Sequence, residues 1–209
     1  ANIHTLSSVC AMLLFLPFSK LLSKLAMLTV PDSPEEAQEM SMPVLDERLF
    51  KSPAVALQQA KNAVVKMSRR AARNVSLANP LLLKMDEDVV SAINVRENLI
   101  DRMEVEISNY LIKLTDQELG DDESHAVTEL LNFVTEFERI GDYAVNIQEK
   151  AVELYEKEAS FSEVAKRELK LLDAALEQIL NRTNDAFENE DIALARQVEP
   201  LEEGIDILV

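Results

Sequence analysis

Three acidic pairs with the spacing Glu-x-x-x-Asp constrain the fold more than any other feature of this chain. The pairs are Glu97 and Asp101, Glu138 and Asp142, and Glu202 and Asp206. Residues four apart lie on the same face of an α-helix, so each pair would place two carboxylates side by side. Like charges at this spacing destabilise a helix, and a bound cation would remove that cost. The motif therefore predicts helices whose paired carboxylates are candidate metal ligands.

The middle pair has the most unusual sequence context. Apolar residues flank it at the spacing of a buried helical stripe, and Gly141 stands between its two carboxylates. A glycine inside a helix costs roughly 1 kcal/mol relative to alanine, which predicts close approach of a neighbouring helix or of a ligand. Some acidic pairs arise by chance among 38 acidic residues, so a bundle whose carboxylates bind nothing is an alternative.

The composition points to an all-helical protein. The chain has only three glycines and no tryptophan in 209 residues, and its 47% hydrophobic content is enough to build a core. A formal net charge of −17 repels a phosphate backbone, so nucleic acid is not an expected partner. The single cysteine, Cys10, excludes an internal disulfide framework and a cysteine-rich zinc site.

The first 30 residues are predicted to contain a transmembrane helix. The stretch from Ala1 to Ser19 carries no charged side chain, and about 20 such residues are needed to cross the hydrocarbon core. Lys20 and Lys24 follow the apolar run, which predicts a cytoplasmic location for the chain after it. A helix lying on the membrane surface is the alternative, because Pro17 interrupts the run. Residues 31–50, rich in proline and acidic residues, are predicted to be a linker.

After the linker, the sequence predicts five long amphipathic helices. Their expected ranges are 53–78, 86–114, 122–157, a fourth from the Ser160–Glu163 capping box to about 189, and a fifth from about 191 to the last residue. Asn79 and Pro80 should stop the first helix, and Gly120 should mark the turn before the third.

An internal repeat relates the two halves of this helical region. An offset of about 105 residues aligns Glu97 with Glu202 and Asp101 with Asp206, which indicates duplication. The repeat predicts a complete three-helix bundle over 51–158 and an incomplete second bundle over 159–209. The truncated bundle should expose an apolar groove, and such a surface favours self-association into a homo-oligomer. Both ends of the chain are expected to be cuts from a longer protein.

Specific residues resemble a known family. The stretch Glu138–Glu149, which reads ERIGDYAVNIQE, closely resembles the signature of PhoU proteins, the helical regulators of bacterial phosphate uptake. The stretch Ile100–Ile107 is similar to the matching helix of the same family. Ala1–Leu6 and Leu16–Phe18 resemble the last membrane helix of bacterial sodium/phosphate cotransporters, many of which carry a PhoU-like cytoplasmic tail.

The resemblance implies an all-α fold of tandem three-helix bundles, each able to hold a metal cluster. Carried over to this chain, Glu97 and Asp101 would face Glu138 and Asp142 in a complete site, and Glu202 and Asp206 would form half of a second one. Oxygen ligands suit hard cations such as iron, manganese, magnesium or calcium. Iron is the expected metal, with zinc or manganese as alternatives.

The function implied is regulation of sodium-coupled phosphate transport, without catalysis. The expected partner is the membrane domain of the transporter, and the expected location is the bacterial inner membrane with residues 31–209 on the cytoplasmic side. A carboxylate-bridged metalloenzyme is an alternative, although Tyr143 is its one weak catalytic candidate and the Glu-x-x-His signature of di-iron oxidases is absent. A metal-free helical interaction module is the other alternative, and His125 is expected to be a surface residue.

A basic stripe on the first predicted helix is the remaining feature of note. It consists of Lys66, Arg69, Arg70 and Arg73, spaced to share one face. In so acidic a chain this face could contact lipid headgroups, the transporter or phosphate. The simpler interpretation is a solvated face paired with acidic side chains of the same protein.

Overall fold

The structure is a computed structural model, and it describes residues 40–207. Six α-helices lie in this range: α1 (Pro53–Ala78), α2 (Glu87–Leu114), α3 (Asp121–Glu156), α4 (Glu163–Asn189), α5 (Ile192–Ala195) and α6 (Glu199–Asp206). Two short 3-10 helices, Glu47–Lys51 and Asn79–Leu82, flank α1. Residues 40–207 contain no strand, which confirms the predicted all-helical class.

The first three helices begin and end close to their predicted limits, and local chemistry explains each boundary. Pro53 opens α1, where its missing N–H group leaves no hydrogen bond unmade. The Asp86 side chain caps α2 by accepting hydrogen bonds from the backbone N–H groups of Asp88 and Val89. At the start of α3, the backbone N–H of Gly120 donates to Glu123 Oε2 at 3.0 Å.

Helices α1, α2 and α3 pack against one another as a three-helix bundle. The buried face of α1 is rich in small side chains, which lets the neighbouring helices approach closely; it includes Ala56, Ala60, Ala63, Ala71 and Ala78. The α2 face supplies the bulk, with Ile100, Met103, Ile107 and Leu111 all fully buried. Each such side chain stabilises the fold by about 1.5–3 kcal/mol. Core formation therefore fixes which faces of α2 and α3 meet.

The segment before α1 is packed onto this bundle. Met42, Leu45, Leu49 and Phe50 contact the core cluster. The Phe50 ring lies 4.9 Å from that of Tyr110, measured between centroids. Residues 42–50 of the predicted linker are thus part of the folded unit, which starts at Met42.

Helix α4 begins at Glu163, at the end of the predicted box, but its N-cap lies two residues later than Ser160. Ser162, rather than Ser160, is the N-cap, because its hydroxyl accepts a hydrogen bond from the backbone N–H of Ala165 at 3.2 Å. The predicted capping box starting at Ser160 is therefore wrong. The helix ends as predicted at Asn189, and Glu190 closes it in the left-handed conformation with φ of 53°.

The C-terminal end of α4 attaches to the three-helix bundle in two ways. Phe187 inserts beside Phe133 and Phe137 of α3, at centroid distances of 4.7 and 5.4 Å. Acidic side chains at the same end of α4 form ion pairs with Lys61 and Arg69 of α1. Towards its N-terminus α4 is more open, and Val164 and Leu171 are more than half exposed.

The predicted fifth helix is wrong as a continuous element. The chain forms α5 and α6 instead, separated by a turn at residues 196–198. Pro200 explains the break, because a proline fits in the first turn of a helix but interrupts the hydrogen bonds of a helix interior. Gly204 lies inside α6, although glycine has a low helix propensity.

Residues 1–39, and with them the predicted transmembrane segment at 1–30, lie outside the described residues. Within residues 40–207, no helix combines the length and the apolar character that crossing a membrane requires.

Candidate functional site

Packing of α2 against α3 brings the first two acidic pairs together. Glu97 and Asp101 lie on α2, and Glu138 and Asp142 lie on α3. The negative charges of the other three carboxylates all act on Glu97, and Asp142 acts on Asp101 as well. The predicted opposition of these two pairs across a helix interface is therefore present.

Gly141 is the point of closest approach between the two helices at this site. A Cβ atom at residue 141 would lie 2.8 Å from Glu97 Oε2, 3.1 Å from Glu97 Oε1 and 3.2 Å from Ile100 Cδ1. A separation below 3.0 Å requires something to move. The prediction that this glycine permits close approach is confirmed, and the group it accommodates is the carboxylate of Glu97.

The degree of burial of the four carboxylates differs from the sequence interpretation. Glu97 is buried, with 8% of its surface exposed, whereas Asp101 and Asp142 are exposed and Glu138 is half-buried. Glu138 and Asp142 lie beside the buried stripe of α3 and are not part of it. That stripe consists of Val134, Phe137, Gly141, Ala144 and Gln148.

Burial and mutual repulsion raise the pKa values of three of these carboxyl groups. Burial is the main reason that the pKa of Glu97 rises to about 7, and the charges of Asp101 and Asp142 add to it. The pKa of Asp101 is raised by burial and by Asp142, and that of Glu138 by burial and by the same two aspartates. Near neutral pH, Glu97 is therefore divided between its protonated and ionised forms.

A buried asparagine contacts Glu97 from the third helix of the bundle. Asn74 of α1 has no exposed surface, and its Nδ2 group donates to the backbone carbonyl of Ile93 at 3.2 Å and to Glu97 Oε2 at 3.3 Å. Sequence reasoning missed this residue. Its signal was available, because Asn74 is a polar residue on the apolar stripe of Met67, Ala71 and Ala78.

Three buried side-chain oxygens have no hydrogen-bond partner among residues 40–207. They are Glu97 Oε1, Asn74 Oδ1 and Gln148 Oε1. A buried polar atom without a partner costs about 1–3 kcal/mol. Glu97 Oε1 is the one that belongs to a charged group, so it has the most to gain from a cation.

The donor set of this site suits a hard cation, since it consists entirely of carboxylate oxygens. As the side chains stand, residues 40–207 contain no group of three or more aspartate, glutamate, histidine or cysteine side chains that could hold a metal ion. Coordination would require these side chains to rearrange around a common ion, and the exposure of Asp101 and Asp142 leaves them room to do so.

The third acidic pair lies apart from this arrangement. Glu202 and Asp206 are on α6, which packs against α4, and both are exposed. A Cβ added at Gly204, between them, would meet no atom within 4 Å. Unlike Gly141, Gly204 is therefore not in close contact with another helix. His125 is exposed near the start of α3, as predicted, and Tyr143 is also exposed.

The four residues of the basic stripe of α1 do not share one exposed face. Arg69 pairs with Glu188 and with Asp185 of α4, the latter at 3.2 Å. Arg70 is buried, and its Nη1 group contacts Met103 Sδ at 2.6 Å, so it does not share the exposed face. Lys66 and Arg73 are exposed. For Arg69, the interpretation of pairing with acidic side chains of the same protein is confirmed.

Comparison with known protein families gives a match that covers the carboxylate site. Residues 64–151 match the family described as the PhoU domain. The matched range contains Glu97, Asp101, Glu138 and Asp142. Over these residues the chain is similar to the PhoU domain, and its helical fold is PhoU-like.

Two relatives extend the similarity over most of the chain. Both are described as phosphate-specific transport system accessory protein PhoU homologs. The protein from Aquifex aeolicus (strain VF5) is 26% identical over 164 residues, which cover 77% of this chain and 70% of the relative. The protein from Clostridium acetobutylicum (strain ATCC 824) is 24% identical over 166 residues, which cover 78% and 73%. No solved structure is significantly similar to this chain.

Proposed function

We propose that this chain is a non-catalytic, metal-binding regulatory domain that controls sodium-coupled phosphate transport. The observation that carries the proposal is the PhoU-domain match, which spans the two acidic pairs that α2 and α3 bring together. The relatives are named as accessory proteins of a phosphate-specific transport system, which supports phosphate transport as the regulated process.

The sodium-coupled transporter and the membrane location rest on residues 1–30. The resemblance of Ala1–Leu6 and Leu16–Phe18 to a cotransporter helix supports the membrane domain of that transporter as the partner. Lys20 and Lys24 support a cytoplasmic location for residues 31–209 at the bacterial inner membrane.

The proposed metal site uses the carboxylates of the first bundle. Glu97, Asp101, Glu138 and Asp142 would hold the ion. Burial is the main cause of the raised pKa values of three of these groups, and the ion would neutralise the charge repulsion that adds to it. The unpartnered Glu97 Oε1 supports this assignment. Iron is the proposed metal, with manganese or zinc as alternatives; Glu202 and Asp206 are proposed as half of a second site.

A metal-free interaction module is the second candidate. The observation in its favour is the pKa of about 7 for Glu97, because a protonated Glu97 lowers the negative charge of the site without a cation. The absence, within residues 40–207, of three side chains already arranged around a common ion supports the same alternative.

Elemental analysis distinguishes the two candidates. The full chain is purified after growth in metal-replete medium and compared with a Glu138→Ala/Asp142→Ala variant. The matched control is Glu202→Ala/Asp206→Ala, which removes the same residue types at the same spacing from α6. We expect iron, manganese or zinc near stoichiometry in the wild type and its loss from the Glu138/Asp142 variant. Wild-type protein free of metal would establish the metal-free candidate.

The regulatory role is tested by phosphate uptake in the full-length transporter. We expect Asp142→Ala to change how uptake responds to external phosphate, while uptake remains dependent on sodium. An unchanged response over a wide range of phosphate concentrations would contradict the regulatory role. Uptake that does not depend on sodium would contradict the cotransporter assignment alone.

A further inference from the structure

Asn74 is a buried amide on the core-facing side of α1, where most of its buried neighbours are apolar and Arg70 is charged. Its surface is fully buried. Met67, Ala71 and Ala78 on the same face are fully buried as well. Burying an amide without hydrogen bonds is costly, so such a residue is stable only where its polar atoms find partners. The partners of Asn74 indicate what the amide does.

Both hydrogen bonds of the Asn74 Nδ2 group go to α2. One is donated to the backbone carbonyl of Ile93 and the other to Glu97 Oε2. Ile93 is four residues before Glu97, so this carbonyl lies one helical turn below the Glu97 side chain. Asn74 Nδ2 therefore links the Glu97 carboxylate to the backbone of the helix that carries it. The amide has no further N–H group to donate.

The opposite side of the same carboxylate is limited by α3. A Cβ at position 141 would come within 3.1 Å of both Glu97 oxygens. The carboxylate therefore lies between the Asn74 amide and the backbone of Gly141. Because Oε2 is held by Asn74, Oε1 is the oxygen left without a partner among residues 40–207.

We propose that Asn74 is a positioning residue for the carboxylate site: it holds Glu97 Oε2 and thereby leaves Oε1 free to bind a cation. The inference rests on the proposed metal-binding function and adds a residue from α1 to a site built on α2 and α3. Carboxylate ligands of metals are themselves hydrogen-bonded, and loss of such a partner typically weakens metal binding by 10–100-fold.

The test measures Mn²⁺ binding to the full chain by isothermal titration calorimetry and by electron paramagnetic resonance. Asn74→Leu keeps the branching at Cγ and removes the N–H donor, whereas Asn74→Ala removes the donor and leaves space. The two variants change the side-chain volume in opposite directions. A common loss of affinity, about 10–100-fold in each, would therefore report the missing donor.

A double-mutant cycle tests whether Asn74 acts through Glu97. Asn74→Leu is combined with Glu97→Gln, and circular dichroism checks that each variant remains helical. We expect the effect of Asn74→Leu on the Mn²⁺ dissociation constant to fall to about twofold or less in the Glu97→Gln background. The control is Ser68→Ala, a buried residue on the same helix whose hydroxyl donates to the Val65 carbonyl of α1 itself.

The outcomes separate this inference from the proposed function. Wild-type protein that does not bind Mn²⁺ would overturn both. Wild-type binding with unchanged affinity in the Asn74 variants would overturn the positioning role and leave the metal site in place. A loss of equal size in both backgrounds would also overturn it, because Asn74 would then act independently of Glu97.

Discussion

At the scale of single residues, the site depends on a carboxylate that the fold confines on two sides. Glu97 is held by Asn74 and faces Gly141, where an added Cβ would force the carboxylate to shift. Burial and three neighbouring negative charges make its ionised form unfavourable. Two substitutions test these separate effects, one on the space around Glu97 and one on its charge.

Gly141→Ala should weaken metal binding by at least about tenfold while changing stability little. The new Cβ would displace the Glu97 carboxylate, but alanine would gain roughly 1 kcal/mol of helix propensity over glycine. Metal titration and denaturant unfolding measure the two effects. Gly204→Ala is the matched control, because a Cβ there meets no atom within 4 Å, and it should stabilise without affecting the first site. Unchanged affinity in Gly141→Ala would contradict the close approach.

The metal-free protein should lose stability as pH rises. The folded-state pKa of Glu97 is about 7, above its ordinary value of 4.5, so the folded state holds its proton more tightly than the unfolded state does. The contribution is fully present below pH 4.5 and is lost as pH rises to about 7. Its size is at most about 3 kcal/mol. Urea unfolding in chelator between pH 4 and 9 measures it.

Glu97→Gln should remove most of this pH dependence and should stabilise the metal-free protein at pH 8. The raised pKa values of Asp101 and Glu138 leave a smaller slope of the same sign. Glu129→Gln, which changes an exposed glutamate of α3, serves as the control. If Glu97→Gln kept the full wild-type slope, Glu97 would not be the responsible group.

At the scale of elements, the attachment of α4 combines an aromatic cluster with surface ion pairs. Phe187 contacts Phe133 and Phe137, while Arg69 pairs with Asp185 and Glu188. Exposed ion pairs contribute about 0–1 kcal/mol because water screens them, whereas removing aromatic surface from water stabilises by more. The aromatic contacts should therefore contribute more than the ion pairs to the attachment of α4.

Phe187→Ala should free the C-terminal half of α4, and Arg69→Ala should not. Since Phe187 is half-buried, we expect a cost of about 2 kcal/mol, below the 3–5 kcal/mol of a fully buried phenylalanine. The loss for Arg69→Ala should be about 1 kcal/mol or less. Hydrogen exchange of the α4 amides measures both. Greater exchange in the Arg69 variant than in the Phe187 variant would reverse the ranking.

At the scale of the whole molecule, residues 40–207 form a complete three-helix bundle, α1 to α3, followed by a less enclosed region, α4 to α6. Helices α1 to α3 enclose two clusters of buried apolar residues, whereas α4 is covered on part of its surface by α1, α5 and α6. Val164 and Leu171, two turns apart on one face of α4, are exposed by 54% and 56%. An apolar face of this kind favours association with another surface.

Replacement of Val164 and Leu171 by lysine should reduce self-association of the protein. Charged side chains on an apolar contact face oppose association, because burying them would cost desolvation. Sedimentation velocity over a range of protein concentrations measures the effect. Ile112→Lys is the control, since Ile112 on α2 is similarly exposed, at 55%. A wild-type protein that stays monomeric at all concentrations would contradict the prediction.

The sequence by itself determined the first three helices of this fold and the neighbouring positions of the two carboxylates within an acidic pair. Apolar periodicity, Pro53, Asp86 and Gly120 defined the first three helices, because these signals act within a few residues along the chain. The Glu-x-x-x-Asp spacing identified Glu97 and Asp101 as neighbours on one helix for the same reason. Gly141 could be assigned a close contact because a glycine within a helix carries a cost.

Only the tertiary structure decided which carboxylate is buried and what holds it. Whether Glu97 or Glu138 faces the core depends on how α2 and α3 rotate against α1, and that rotation is fixed by the packing of side chains distant in sequence. The contact between Asn74 and Glu97 joins residues 23 positions apart, and the pairs of Arg69 span more than 100. Local patterns carry no information about such contacts, because they form only once the helices have packed.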